Sequence, residues 1–117
     1  MDKKYAAQEA ITHSMMGSLG LKLIEEKEGF IRASMPVNDN TSQPFGVLCG
    51  GASLAFAEII AGYGSYLCCP EGFIPVGSSV SGNHVSSVRK APDVLVYAEA
   101  TALHLGRPTH LLPLLHI

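Results

Sequence analysis

One acid stands inside an apolar run. From Leu54 to Ala61 every residue but Glu58 is hydrophobic, so a helix over this stretch is expected to be buried on almost every side. An ionised carboxylate in such a place is costly unless it is paired or has chemistry to do. Desolvation would raise its pKa, which suits a general base or a nucleophile near neutral pH. The alternative is a buried acid satisfied by an ion pair, within the chain or at an interface. Gly50-Gly51 opens the same segment. The first amides of a helix lack intrahelical acceptors and sit at the positive end of the macrodipole, so they can hold a developing oxyanion, and glycine lets a ligand approach. A glycine pair can equally serve only a tight loop. Gln43, ahead of Pro44, either offers its amide hydrogens to the same carbonyl or is a turn residue. Cys49 is either a thiol of lowered pKa able to attack an acyl group or a small side chain filling a gap.

Spacing adds a constraint. Glu58 follows Gly51 by seven residues, about 700° round a helix, so the two share a side but stand about 10 Å apart along the axis. A carbonyl that needs contacts of about 3 Å to donor and base cannot reach both on one helix. Two antiparallel copies would place the glycine amides of one subunit near Glu58 of the other. The spacing therefore predicts a homodimer with shared sites.

The five histidines lack the close pairs of a metal site, and no metal is expected. His84 and His104 fall near strand ends, close to Arg89 and Arg107, where they could line an anionic cleft or lie on a solvated surface. Arg107, in Leu-Gly-Arg-Pro-Thr, is presented by a turn together with backbone amides. Cys49, Cys68 and Cys69 are odd in number and read as reduced thiols.

The positioning elements follow from periodicity. Tyr5 to Leu19 reads as an amphipathic helix ended near Gly20. Leu21 to Val37 alternates around a turn at Gly29, a strand hairpin. Asn38 to Gly46 is a loop. The buried helix is expected from about Ala52 to Cys69, stopped by Pro70 and Gly72. Phe73 to Val88, Val94 to Leu103 and His110 to Ile117 read as strands or apolar segments separated by turns. The order gives an α+β domain over residues 1–117, one helix held by a mostly antiparallel sheet. Of the 117 residues, 47% are hydrophobic and 15% charged, against roughly 25% charged in an average chain, which points to apolar surface covered by a second copy. A net charge of −2 without a basic cluster argues against nucleic acid. No stretch reads as a signal peptide or membrane span, so a cytoplasmic location is expected.

Met35-Pro36-Val37, Gln43-Pro44-Phe45-Gly46, Gly50-Gly51-Ala52-Ser53, Ala57-Glu58, Asn83-His84-Val85 and Leu103-His104-Leu105-Gly106-Arg107 together resemble the hotdog-fold acyl-CoA thioesterases. The resemblance is to the phenylacetate-pathway, 4-hydroxybenzoyl-CoA and 1,4-dihydroxy-2-naphthoyl-CoA hydrolase group. It implies a long helix wrapped by a curved sheet, and subunits paired as a dimer and further as a homotetramer. It implies hydrolysis of an aromatic or medium-chain acyl-CoA, with Glu58 as base or nucleophile, Gly50 N–H polarising the carbonyl and Gln43 positioning it. Gly77, His84, Val85, Ser86, Ser87, Arg89, His104, Leu105, Gly106 and Arg107 match or adjoin the CoA cleft, and CoA enters as part of the substrate, with no separate cofactor. A non-catalytic CoA- or acyl-binding protein and acyl transfer through Cys49 are the alternatives. Three positions depart from the pattern: Cys49 where histidine is usual, Gly62 where serine or threonine often follows the acid, and the proline-containing run Leu111 to Leu115 in place of an alternating one. The last leads us to expect a sheet without its final strand.

Overall fold

The computed structural model describes residues 3–105, 110–111 and 114–116, with side chains for residues 8–103. Strands β1 (Lys22–Lys27) and β2 (Phe30–Pro36) form an antiparallel hairpin, and Gly29 at φ 85° makes the turn between them. Beyond the long helix α3 (Gly50–Cys68), strand β3 (Leu95–Thr101) returns to pair with β2. Two short strands, β4 (His104–Leu105) and β5 (His110–Leu111), pair with each other, and β6 (Leu114–His116) lies against β3, so the main sheet runs β1-β2-β3-β6. The C-terminal expectation falls in part on residues 112, 113 and 117, which lie outside the described residues.

Alternation decides which face of this sheet is apolar. Ile31, Ala33 and Met35 of β2 stand opposite Ala100, Ala98 and Val96 of β3, and all six are buried. Onto them α3 lays Phe56 and Ile60, both fully buried. Phe56, Ala98 and Ala100 belong to one buried cluster, in which small residues of the sheet accompany large ones of the helix. On the outward face, Arg32 stands between Glu25 and Glu99 across three strands. Its guanidinium reaches Glu99 at 2.6 Å and Glu25 at 3.3 Å. Cross-strand pairs of this kind help to hold register.

Three expectations are corrected. The N-terminal helix is two helices, α1 (Lys3–Thr12) and α2 (Met15–Ser18). The break is local chemistry: Thr12 and Ser14 hydroxyls donate to the carbonyls of Gln8 and Ile11, and Gly17 lies so close to the last carbonyls of α1 that a side chain there would collide. Helix α3 is not buried all round. Phe56, Ala57, Ile60 and Gly64 form one stripe, and Glu58, about 200° round from Phe56, is exposed. Finally, residues 73–88 form no ladder. They run extended and largely exposed, because no strand of the described residues lies alongside to accept their backbone bonds. Among the described residues no helix is long and apolar enough to cross a membrane.

Since Phe56 fills the centre of this interface, Phe56→Ala should cost about 3–5 kcal/mol, the usual range for a buried aromatic truncated to a cavity. Urea unfolding of the two proteins measures it.

Candidate active site

The site is assembled by a loop that is tied at both ends. Thr41 is its peg: the hydroxyl donates to the Pro36 carbonyl at 2.7 Å and accepts the Asn38 N–H at 3.0 Å, while the Thr41 carbonyl accepts the Cys49 N–H at 2.9 Å. Within this frame a smaller turn carries Gln43, whose N–H donates to the Val47 carbonyl at 2.9 Å, with Gly46 at φ 86°. The Gln43 side-chain oxygen accepts the Phe45 N–H at 2.9 Å. That bond fixes which end of the amide is oxygen, and both NH2 hydrogens are left with no acceptor among the described residues.

The chain then enters α3 without a side-chain cap. Cys49 occupies the N-cap position at φ −74°, ψ 131°, and its thiol caps nothing. The Gly50 and Gly51 amides donate to no acceptor among the described residues. Two aligned N–H groups at the start of a nineteen-residue helix make a place for negative charge. Eight residues on, about 12 Å along the axis, the Glu58 carboxylate is exposed on the same flank of the helix as Gly51 and Leu54. Its expected burial is not supplied by the single chain. One turn further, Gly62 faces open space.

What lies against this flank is the extended segment 73–88, which crosses α3 in the reverse direction. Its end is docked on the Gln43 loop. The Leu48 N–H donates to Val88, the Lys90 N–H donates to Gly46, each at 2.8 Å, and Val47 bridges Arg89. Two glycines then set how close it comes. The Glu58 carboxylate lies directly against Gly77, and the His84 ring lies against Gly50, its Nε2 2.8 Å from where a side chain on Gly50 would begin. Between them Gly82 approaches Leu54. Each element thus presents a glycine to a polar side chain of the other.

The structure therefore brings Gly50 to His84, Glu58 to Gly77, and Gln43 to the loop that leads into Gly50, but it does not bring Gly50 and Glu58 of one chain together. Val85, Ser86, Ser87 and Arg89 are exposed beyond His84. His104 and Leu105 form β4, with side chains outside the described set, and Gly106 and Arg107 lie outside the described residues. No group of three potential metal ligands occurs among the described residues. A surface hollow of about 530 Å³ is lined by residues 37–40 and 90–92, and its lining includes none of Gln43, Gly50 and Glu58. The glycine contacts at positions 77 and 50 carry no signal in spacing, because they join segments without a common period. The peg was more accessible, since Asn38-Asp39-Asn40-Thr41 is a run of turn-forming side chains.

A long helix on an antiparallel sheet is the arrangement of the hotdog thioesterases. Residues 45–110 match the family model of the thioesterase superfamily. The chain belongs to that superfamily, whose class is that of thioester hydrolases. It is 38% identical over 93 residues to a 1,4-dihydroxy-2-naphthoyl-CoA hydrolase of Escherichia coli, covering 80% of this chain and 66% of that one. Against two relatives matched at 42% identity it spans 67% and 62% of their length. The crystal structure of a thioesterase from Haemophilus influenzae superposes with a TM-score of 0.84 at 35% identity, over 97% of this chain and 78% of that chain. A Staphylococcus aureus thioesterase superposes with a TM-score of 0.79 at 32% identity, over 86% of this chain and 81% of that chain. That enzyme was solved in two variants, one with a glutamine and one with a glutamate replaced by alanine, fifteen positions apart.

The docking of segment 73–88 is reinforced by Lys90, whose ammonium meets the Asp39 carboxylate at 2.8 Å. Hydrogen bonding from Lys90, then its charge, holds the Asp39 carboxyl below the ordinary carboxylate range, against a small opposing effect of burial. A pKa lowered by folding means stability that is present above the unfolded value and lost as pH falls through the folded one. Asp39→Asn should therefore be less stable than wild type at neutral pH, with the two converging in acid. Carboxyl NMR titration should find the Asp39 midpoint raised in Lys90→Met.

Proposed function

We propose that this protein hydrolyses an acyl-CoA thioester carrying an aromatic or medium-length acyl group. The observation that carries the reading is the pair of Gly50 and Gly51 amides, without an acceptor among the described residues, at the head of an apolar helix whose exposed flank also bears the Glu58 carboxylate. In the reaction the Gly50 N–H would hold the carbonyl oxygen as negative charge develops on it. The free NH2 of Gln43 would orient the same group. Glu58 would take the proton of an attacking water, or attack the carbonyl itself. The separation of Gln43 and Glu58 supports these two assignments. It is fifteen residues, equal to the spacing of the glutamine and glutamate replaced in the Staphylococcus aureus enzyme.

One carbonyl cannot touch Gly50 and Glu58 of a single helix about 12 Å apart, so each site would take Glu58 from a second copy. The exposure of Ile74, Val76 and Val85, at 78%, 86% and 94%, supports a homodimer that covers this segment. We extend the proposal to a homotetramer of two such dimers. CoA would lie along the exposed residues Val85, Ser86, Ser87 and Arg89.

Thiol release from a panel of acyl-CoAs tests the reaction. Glu58→Ala should lower kcat by about 10²–10⁴, the range lost with a positioned acid–base group, and Glu58→Gln should fall comparably. Turnover like wild type in Glu58→Ala would overturn the assignment. Sharing between subunits has its own test. Mixing Gln43→Ala with Glu58→Ala subunits should restore about a quarter of wild-type activity, because half the dimers are mixed and each has one intact site. If each site belonged to one chain, mixing would restore none.

A further inference from the structure

We infer that His84 is a catalytic residue, donating a hydrogen bond from Nε2 to the thioester oxygen held on the Gly50 N–H; this rests on the thioesterase reading above. The ring approaches the first turn of α3 with Nε2 foremost. Its atoms Nε2, Cδ2 and Cε1 stand 2.8, 3.0 and 3.2 Å from the Cβ position of Gly50. Glycine at position 50 lets the imidazole lie against the start of the helix, since a side chain there would displace the ring. The ring has no hydrogen-bond partner among the described residues, and His84 is exposed. An oxygen accepting the Gly50 N–H at about 2.9 Å would be held at the same residue that the leading edge of the imidazole approaches.

The chemistry is consistent with a donor that keeps its proton. Water oxygen bonds to the carbonyl carbon, its proton passes to the Glu58 carboxylate of the second copy, and the C=O π pair moves onto oxygen between the Gly50 N–H and the His84 Nε2–H. The oxyanion then re-forms C=O, the C–S bond breaks, and the departing thiolate takes up the proton, giving acid and thiol. His84 ends as it began. Segment 73–88 thereby has a catalytic task as well as a structural one, and its docking through Leu48–Val88 and Lys90–Gly46 places the donor.

The test compares His84→Ala, His84→Gln and His84→Asn on an acyl-CoA and on the same acyl group carried by N-acetylcysteamine, which lacks the nucleotide. A lost oxyanion donor typically costs about 10²–10³ in kcat. His84→Ala should show that loss on both substrates with little change in KM. His84→Gln, whose amide nitrogen reaches about as far as the ring Nε2, should recover most of it, and His84→Asn, whose nitrogen falls short, should not. Melting curves should be unchanged, since the ring is exposed; if His84→Ala should unfold, the Gln and Asn pair still decides. A loss confined to KM and to the CoA substrate would overturn the inference, because the ring would then contact the nucleotide. So would an unchanged kcat in His84→Ala. If wild type cleaves neither substrate, the thioesterase reading itself falls, which the other outcomes leave standing.

Discussion

Helix α3 has to satisfy two surfaces at once, and the rest of the molecule is arranged by that demand. Its stripe of Phe56, Ala57, Ile60 and Gly64 is held on a sheet whose facing residues are small in β3 and larger in β2. This packing fixes the rotation of the helix about its axis. Once that angle is set, Gly51, Leu54 and Glu58 must lie on the flank away from the sheet, since a residue two positions from Phe56 is about 200° round. A carboxylate is tolerable there because the flank is open to solvent in the single chain. The apolar residues around it then require some further cover, and the extended segment supplies only part of it.

That segment shows how an irregular stretch can be positioned without a ladder. Its end is tied to the Gln43 loop by backbone bonds and by the Lys90–Asp39 pair, and its middle is set by three glycine contacts on α3. The ion pair is exposed, so it contributes modestly to stability. Its position matters more, because it closes the loop that carries Gln43 onto the segment that carries His84. The loop itself depends on one buried threonine, Thr41, which joins the end of β2 to the start of α3. Gly50, Gln43 and His84 are in this way all referred to the end of β2.

Much of this was legible beforehand. The hairpin at Gly29, strand β3, the long helix and the loop before it follow from alternation, apolar runs and turn residues within a residue or two. Residues 73–88 depart from the strand that their composition predicts, for a definable reason. Valine, serine and isoleucine favour extended backbone, and extended backbone is what they adopt, but a strand also needs a neighbour, which local composition does not specify. Apolar spacing alone predicts a continuous N-terminal helix, because that spacing is continuous. The interruption comes from hydroxyl groups that bond to the preceding carbonyls.

The candidate site divides in the same way. By itself the sequence determined that Gly51 and Glu58 share one helix and one flank, because helical geometry converts spacing directly into angle and rise. It also determined that they are too far apart to serve one carbonyl from one chain, which no folding of the remainder can change. Only the tertiary structure decided that Glu58 is exposed within the chain, since burial depends on what packs against the helix as well as on the residues beside it. It alone placed Gly77 under the Glu58 carboxylate and His84 over Gly50. Those contacts join residues 19 and 34 positions apart, across two elements with different rise per residue, so only the packed arrangement sets their register.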